Sequence, residues 1–296
     1  MECGLSIIRG CGKMLMSIAS NGTESTGGVA MGTNSVVRED DTWKVVARNF
    51  SKATDNKIHS DEIARKYGFK SALVPGVAVY GHLTYPLVHR YGEQWLSHSQ
   101  HNVRFLKPAY HQDELKIELT EDESGSHVDC HNSEGVLLAQ LHSTSPDEQT
   151  EFAQRSDFSA TTKDPARIEM IWETVQPMQP FAEWHFQITD DSNRTFTEQI
   201  ADPLSLYRHV AHPHWLLSVA NQSLTREYVM PAWLHVESEV RYRALVRVGD
   251  TLAVKAVPLE KWRRKGHEFV RLYLAYYRDD VLTTEILHTA IFKVAE

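Results

Sequence analysis

The alternation of apolar and polar positions divides the chain into two stretches built on one plan. In the first, Val77, Tyr80, Leu83, Leu87 and Tyr91 recur at three-to-four-residue spacing after Pro75, which predicts a long helix with one apolar stripe. Proline is tolerated at such a start because the first N–H groups of a helix have no partner within it. Shorter strand patterns follow at Val103–Leu106, Leu115–Leu119, His127–Cys130 and Val136–His142, and one more precedes the helix at Trp43–Ala47. In the second stretch PHWLLSVANQSL, from Pro213, predicts a helix. Val236–Ala244, Thr251–Pro258, Phe269–Tyr277 and His288–Val294 predict strands after it.

The two stretches also share residues. VRFLKPAYHQDEL begins at Val103 and VRYRALVRVGDTL at Val240; Val-Arg-aromatic recurs, and Asp113 and Asp250 each stand ten positions after the valine, an offset of 137 in both cases. Strand, long helix and strand meander, occurring twice, indicate a duplicated α+β fold. A helix with one apolar stripe among antiparallel strands has to be wrapped by their sheet. That is the geometry of a hotdog, and two of them make a double hotdog. The expected organisation is a flexible tail over 1–35, rich in Gly, Ser and Thr, a first hotdog half over 36–145, a polar linker over 146–166 and a second, degenerate half over 167–296.

Composition narrows the functional classes. With 42% hydrophobic and 24% charged residues the 296-residue chain has the balance of a globular protein. Its formal charge of −8 argues against nucleic acid as a partner. No apolar run approaches the ~20 residues that span a bilayer, so no membrane partner is expected. Cys3, Cys11 and Cys130 form no disulfide framework, which fits a reducing compartment. A cytoplasmic location is expected, with an organellar one left open by Arg9 and Lys13 in a start poor in acids. GCGKM, at residues 10–14, lacks the leading glycine and the Ser/Thr of a phosphate loop. Metal-binding histidine or cysteine spacings are absent, and so is a Gly-x-Ser-x-Gly elbow.

The stretch TDNKIHSDEIARKYGFKSALVPG, Thr54 to Gly76, concentrates chemistry. A local reading makes Asp55 and Asn56 turn formers. His59 then bonds a backbone carbonyl, and Ser60 caps a helix whose first turn holds Asp61 and Glu62. A functional reading makes the same residues a site. FSKATDNKIHSDEIA followed by YGFKSALVPG resembles the MaoC-like, (R)-specific enoyl-CoA hydratase family. Its hallmark is a Gly-Asp-x-Asn-Pro-Leu-His loop, a short helix with alanine, then Gly-Phe, an apolar pair and a glycine opening the central helix. RFLKPAYHQDEL resembles the strand that follows. The resemblance covers about 36–143, with the second half a worn copy. Aligned on Asn56 and His59, the family's aspartate falls on Thr54 and its proline on Lys57, so the carboxylate stands one place late, at Asp55. In the second half Thr189–Asn193 occupies the equivalent region, with no histidine soon after.

The resemblance implies hydration or dehydration of an acyl thioester, with Asp55 and His59 catalytic and Asn56, Gly76, Val77 and Tyr80 toward the substrate. Such chemistry needs a water held between proton-transfer groups and a grip on the thioester oxygen. Unpaired N–H groups at the start of the central helix can supply that grip, and Gly76 lets the thioester approach them. No metal and no cofactor are implied beyond coenzyme A as part of the substrate; a homodimer is left open. Two rivals also stay open. One is a hotdog thioesterase, or another lyase or isomerase, using the same pocket. The other is a non-catalytic protein binding an acyl thioester or a partner. The composition of the tail offers little to bury, so a truncation starting near Thr33 should melt like the full chain. A large loss of melting temperature would make the tail structural.

Overall fold

The structure, a computed structural model, describes residues 37–39, 41–51, 56–144 and 166–295. The expected tail, nearly all of the expected linker and Asp55 lie outside the described residues. The first half comprises β1 (Val37–Glu39), β2 (Thr42–Val46), a 3-10 turn at Lys57–His59, α1 (Asp61–Lys66), α2 (Gly76–Tyr91), α3 (Glu93–His98), β3 (Gln100–Phe105), β4 (Glu114–Asp122), β5 (Gly125–Asn132) and β6 (Leu137–Thr144). The second comprises β7 (Ile168–Glu169), β8 (Trp184–Gln187), α4 (Asp190–Gln199), α5 (Pro213–Glu227), β9 (Tyr228–Val229), β10 (Leu234–Tyr242), β11 (Thr251–Arg264), β12 (His267–Arg278) and β13 (Val281–Lys293).

Eleven strands form one sheet in the order β1-β2-β4-β5-β6-β3-β10-β13-β12-β11-β8, while β7 and β9 pair apart from it. The order is mirrored about the β3–β10 seam: β2, β4, β5, β6 and β3 answer to β8, β11, β12, β13 and β10. The 137-residue offset reappears in the backbone. The bridge Leu73–Tyr110 is matched by Val210–Arg247, and the bond from Val74 N–H to the Ala109 carbonyl by that from Ala211 to Val246. The repeated aspartates close equivalent turns. Asp113 accepts from the Tyr110 N–H and Asp250 from the Arg247 N–H, both at 2.8 Å.

Helices α2 and α5 fill the wrapped side of the sheet, and nearly every residue from Val77 to Val88 and from Pro213 to Leu224 is buried or half-buried. This is a double hotdog of the α+β class. Tyr91, the last residue of the expected stripe, instead stands 39% exposed, with its hydroxyl on Glu121. Strands β11 and β12 run past the expected ends because their hairpin stays paired to its tip. There Trp262 stacks on Phe269 at 5.1 Å, Lys265 and Gly266 turn the chain with positive φ, and Lys261 donates to the Trp172 and Val175 carbonyls. Helix α4 goes beyond the expected elements. It is started by a capping box between Thr189 and Ser192, a known start signal.

The two central helices run in opposite directions, since Gly81 of α2 abuts the start of α5 while Gly76 and Val79 share a cavity with Asn221 farther along α5. Glycine suits the crossing: a Cβ on Gly81 would lie 2.6 Å from Ile200 Cδ1 and 3.1 Å from His214 Cβ, so any larger residue forces the buried Ile200 side chain to shift. Gly81→Val should therefore lower unfolding free energy by about 1–3 kcal/mol, as overpacking does. An unchanged denaturation midpoint in urea would show that the helices do not meet at this residue.

Candidate active site

A cavity of about 260 Å³ opens at the start of α2, across the seam between the halves. Its walls include His59 from the 3-10 turn, Gly76 from α2 and Phe105 from β3; the second half contributes Asn221 from α5, with Trp233 and His235 from around the start of β10.

Asn56 fixes the loop that delivers His59. Its Oδ1 accepts from the Trp233 N–H at 3.2 Å and from the Ile58 N–H at 3.3 Å, and its Nδ2 donates to the Trp233 carbonyl at 3.1 Å. One amide thus satisfies both main-chain groups of Trp233, and Lys57 N–H adds a bond to the Pro231 carbonyl at 2.8 Å. The first-half loop is thereby sewn to the second half. His59 Nδ1 donates to the Leu73 carbonyl at 2.8 Å, which places the lone pair on Nε2, 3.4 Å from Asn56 Nδ2. Burial holds the imidazole below its ordinary pKa, against the opposing pull of the Leu73 carbonyl. His59 is therefore a neutral base at pH 7. The bond expected of the local reading is present on Nδ1, and it leaves Nε2 as the acceptor nitrogen of the ring. Ser60 does not cap α1 with its side chain; its hydroxyl donates to the Lys57 carbonyl instead.

Gly76 is the first residue of α2, and a Cβ placed on it would enter the cavity 3.4 Å from His235 Nδ1 and 3.5 Å from the Phe105 ring. Neither Gly76 nor Val77 gives its N–H to a partner among the described residues. An unpaired donor at the positive end of a helix, beside an open space, can hold a developing oxyanion. Gly76 lines the cavity, whereas Val77 is buried behind it with its side chain packed in the core. Tyr80 lies away from the cavity. It is fully buried, with its hydroxyl 2.8 Å from His101 Nε2 and 2.9 Å from the Tyr242 hydroxyl. Its place in the apolar stripe prevails over a role toward substrate. Asp55 lies outside the described residues.

The second half lacks this arrangement. Pro213, 137 positions after Gly76, has no N–H, and the N–H of His214 is consumed by His212 Nδ1 at 3.0 Å. His212 Nε2 lies 3.2 Å from Asp202 Oδ2, with both side chains buried. Here the start of the helix is closed by protein.

No family model matches the chain and no curated protein matches it in sequence. Solved structures share its architecture. One from Chloroflexus aurantiacus, provisionally assigned as a MaoC domain dehydratase, matches with a TM-score of 0.58 at 12% identity, over 90% of this chain and 100% of that one. A Mycobacterium tuberculosis protein essential for survival during infection matches at 0.54 and 12%, over 88% and 96%. That protein is a double hotdog. So is the fold of this chain. A third, provisionally an oleoyl thioesterase of Lactobacillus plantarum, matches at 0.50 and 12%, over 86% and 96%. At these identities the likeness speaks for the fold, and the activities named for those proteins differ from one another.

Two polar residues of the cavity escaped the sequence reading. Asn221 has a buried Oδ1 without a hydrogen bond, and His235 a buried Nδ1 in the same state. Asn221 left a trace, as an amide in the apolar pattern of α5. No metal-binding group of three His, Cys, Asp or Glu occurs among the described residues, and no helix there is long and apolar enough to cross a membrane.

Burial keeps six histidines below their ordinary pKa: His59, His82 (about 4), His101 (about 3), His214, His235 and His288 (about 3). Their folded pKa values lie under the unfolded value of ~6.5, so the unfolded chain binds more protons between the two. The stability they confer is complete above that unfolded value and is lost as pH falls toward 4. Each contributes up to ~1.4 kcal/mol per pH unit in that window. The urea midpoint should drop steeply from pH 7.5 to 5.5; a midpoint flat over this range would contradict neutral burial.

Proposed function

We propose that the chain adds water to, or removes it from, a short acyl thioester such as a 2-enoyl thioester of coenzyme A. The observation that carries this reading is the juxtaposition, around one cavity, of a histidine whose Nε2 lone pair is met only by a long 3.4 Å contact from Asn56 Nδ2, and a helix start whose first residue, Gly76, has an unpaired N–H. The thioester oxygen would lie against the Gly76 N–H. His59 Nε2 would take a proton from water as its oxygen bonds to the β-carbon, and negative charge would gather on the thioester oxygen as an enolate. Protonation of the α-carbon completes the addition; Asp55 is the donor that the family resemblance supplies. The cavity of about 260 Å³ suits the acyl end of the molecule, being smaller than the ~300–1,000 Å³ of sites that enclose drug-sized ligands.

Hydrolysis of the thioester would use the same base and the same N–H, with water directed at the carbonyl carbon. Hydration is preferred because the loop holding Asn56 and His59 resembles the hydratase loop, with its amide and histidine in step. The two reactions separate cleanly in an assay. Hydration of crotonyl-CoA removes the enoyl absorbance and leaves the thioester intact, whereas hydrolysis releases a thiol that reacts with a thiol dye. His59→Ala should cut hydration by ~10²–10⁴-fold, the usual contribution of a general acid–base group, while the protein stays folded. Gly76→Ala is the sharper variant, because its Cβ fits the fold at ordinary contact distance yet fills the space that the thioester needs. It should hold or raise the melting temperature, as Gly→Ala does at compatible sites, and abolish most turnover. Full activity in Gly76→Ala, or thiol release without hydration in wild type, would overturn the hydratase reading.

A further inference from the structure

His235 belongs to none of the residues that the proposed reaction has so far used, yet its surroundings are those of a functional group. It lies at a β-bulge: His235 pairs with Ala290 and Glu237 with the adjacent Thr289, so Val236 is extra in β10. Bulges re-aim side chains, and this one brings His235 onto the same face as Ser238, toward the helices. The ring is held on one side by Phe105 at 4.7 Å and on the other by His288 at 4.3 Å. Its Nε2 is 2.8 Å from the Ser238 hydroxyl, which lies 3.0 Å from His288 Nδ1. Its Nδ1 is buried, unpartnered, and 3.4 Å from the place that a Gly76 Cβ would occupy. Buried polar atoms without partners stand out in folded proteins, and three of those among the described residues, His235 Nδ1, Asn221 Oδ1 and Trp233 Nε1, belong to residues lining this one cavity.

We propose that His235 donates a hydrogen bond from Nδ1 to the thioester oxygen, completing from the second half the oxyanion site that Gly76 opens from the first. The proposal rests on the reading of this cavity as an acyl-thioester site. The hydrogen-bond chain fits a donor. With the proton on Nδ1, Nε2 accepts from the Ser238 hydroxyl, and Ser238 accepts from His288 Nδ1–H. Burial and the neighbouring His288 lower the pKa of the ring and keep it neutral, opposed by a weaker pull from the backbone carbonyl of Glu237, which lies outside hydrogen-bond geometry for Nδ1. A neutral imidazole is a competent electrophile toward a carbonyl.

Replacing the ring by one without a donor separates this role from packing. His235→Phe should lower kcat on crotonyl-CoA by about 10²–10³-fold with KM little changed, the loss expected for one oxyanion donor. His235→Asn, whose Nδ2 can stand near the Nδ1 position, should recover at least about tenfold of that loss. Ser238→Ala, which frees Nε2 but leaves the ring, should fall between them. The donor role serves hydration and hydrolysis alike, so whichever reaction wild type performs is the one compared. Activity of His235→Phe within about threefold of wild type, or equal losses in Phe and Asn variants of unchanged melting temperature, overturns the proposal while leaving the site reading intact. If Phe lowers the melting temperature, the Ser238→Ala kinetics decide: activity equal to wild type would count against the donor. A wild type that neither turns over crotonyl-CoA nor is stabilised by butyryl-CoA removes the site reading, and this proposal with it.

Discussion

The pairing of β3 with β10 is the contact on which everything else depends. Each is the inner edge of its own half-sheet, and an unpaired edge leaves a row of open N–H and C=O groups. Joined over the pairs Gln100–Arg241 to Arg104–Glu237, they make one sheet of eleven strands. Glu237 locks the register by accepting from Asn102 at 2.9 Å and meeting Arg104 at 3.4 Å. The seam also sets where a site can form. It brings Phe105 and the start of β10 to the mouth of α2, so the cavity has walls from both halves. The side-chain amide of Asn56 closes the same gap from the loop side. Neither half encloses the cavity without the other.

The repeated fold was legible because its signals are local and occur twice. Asp113 and Asp250 accept from the N–H three residues back, and that bond is why an aspartate stands at the same place in both turns. The helix stripes were legible because each is buried along most of its length. His235 was hidden for a physical reason. A strand with an unbroken period of two would place residues 235 and 237 on one face and 238 on the other. The bulge at Val236 reverses this, and nothing in the residues WLHVES marks a bulge. Tyr80 shows the converse. Its position in the stripe was correctly a core position, and its hydroxyl finds partners on β3 and β10 rather than in the cavity.

His59 joins the two readings that its sequence allows. The bond to the Leu73 carbonyl is the local turn contact, and it is also what leaves Nε2 with a lone pair. A donor bond at one nitrogen is the usual way to fix the tautomer of a basic histidine. Structural and proposed chemical roles are therefore not rivals at this residue: the turn is what would orient the proposed base. Asn56 works in the same way, because the amide that anchors the loop to Trp233 stands beside Nε2.

Duplication explains why only one helix start stays open. Two equal sites would need glycine and free N–H groups at both. In the second half Pro213 deletes one donor outright, and the side chain of His212, pinned by Asp202, consumes the next. Residues there bury polar groups that satisfy one another: Asn193 bonds the Tyr207 and Val210 carbonyls and the His212 N–H. That cluster meets α2 at Gly81, where the close approach of α4 and α5 favours a residue without a side chain. The closed helix start thus braces the helix whose own start is open. A braced α2 holds the Gly76 N–H in place, and in the proposed reaction a donor fixed beforehand would lose nothing to reorganisation when charge appears. The second half, with its own helix start closed, supports the first and through His235 forms part of the cavity wall.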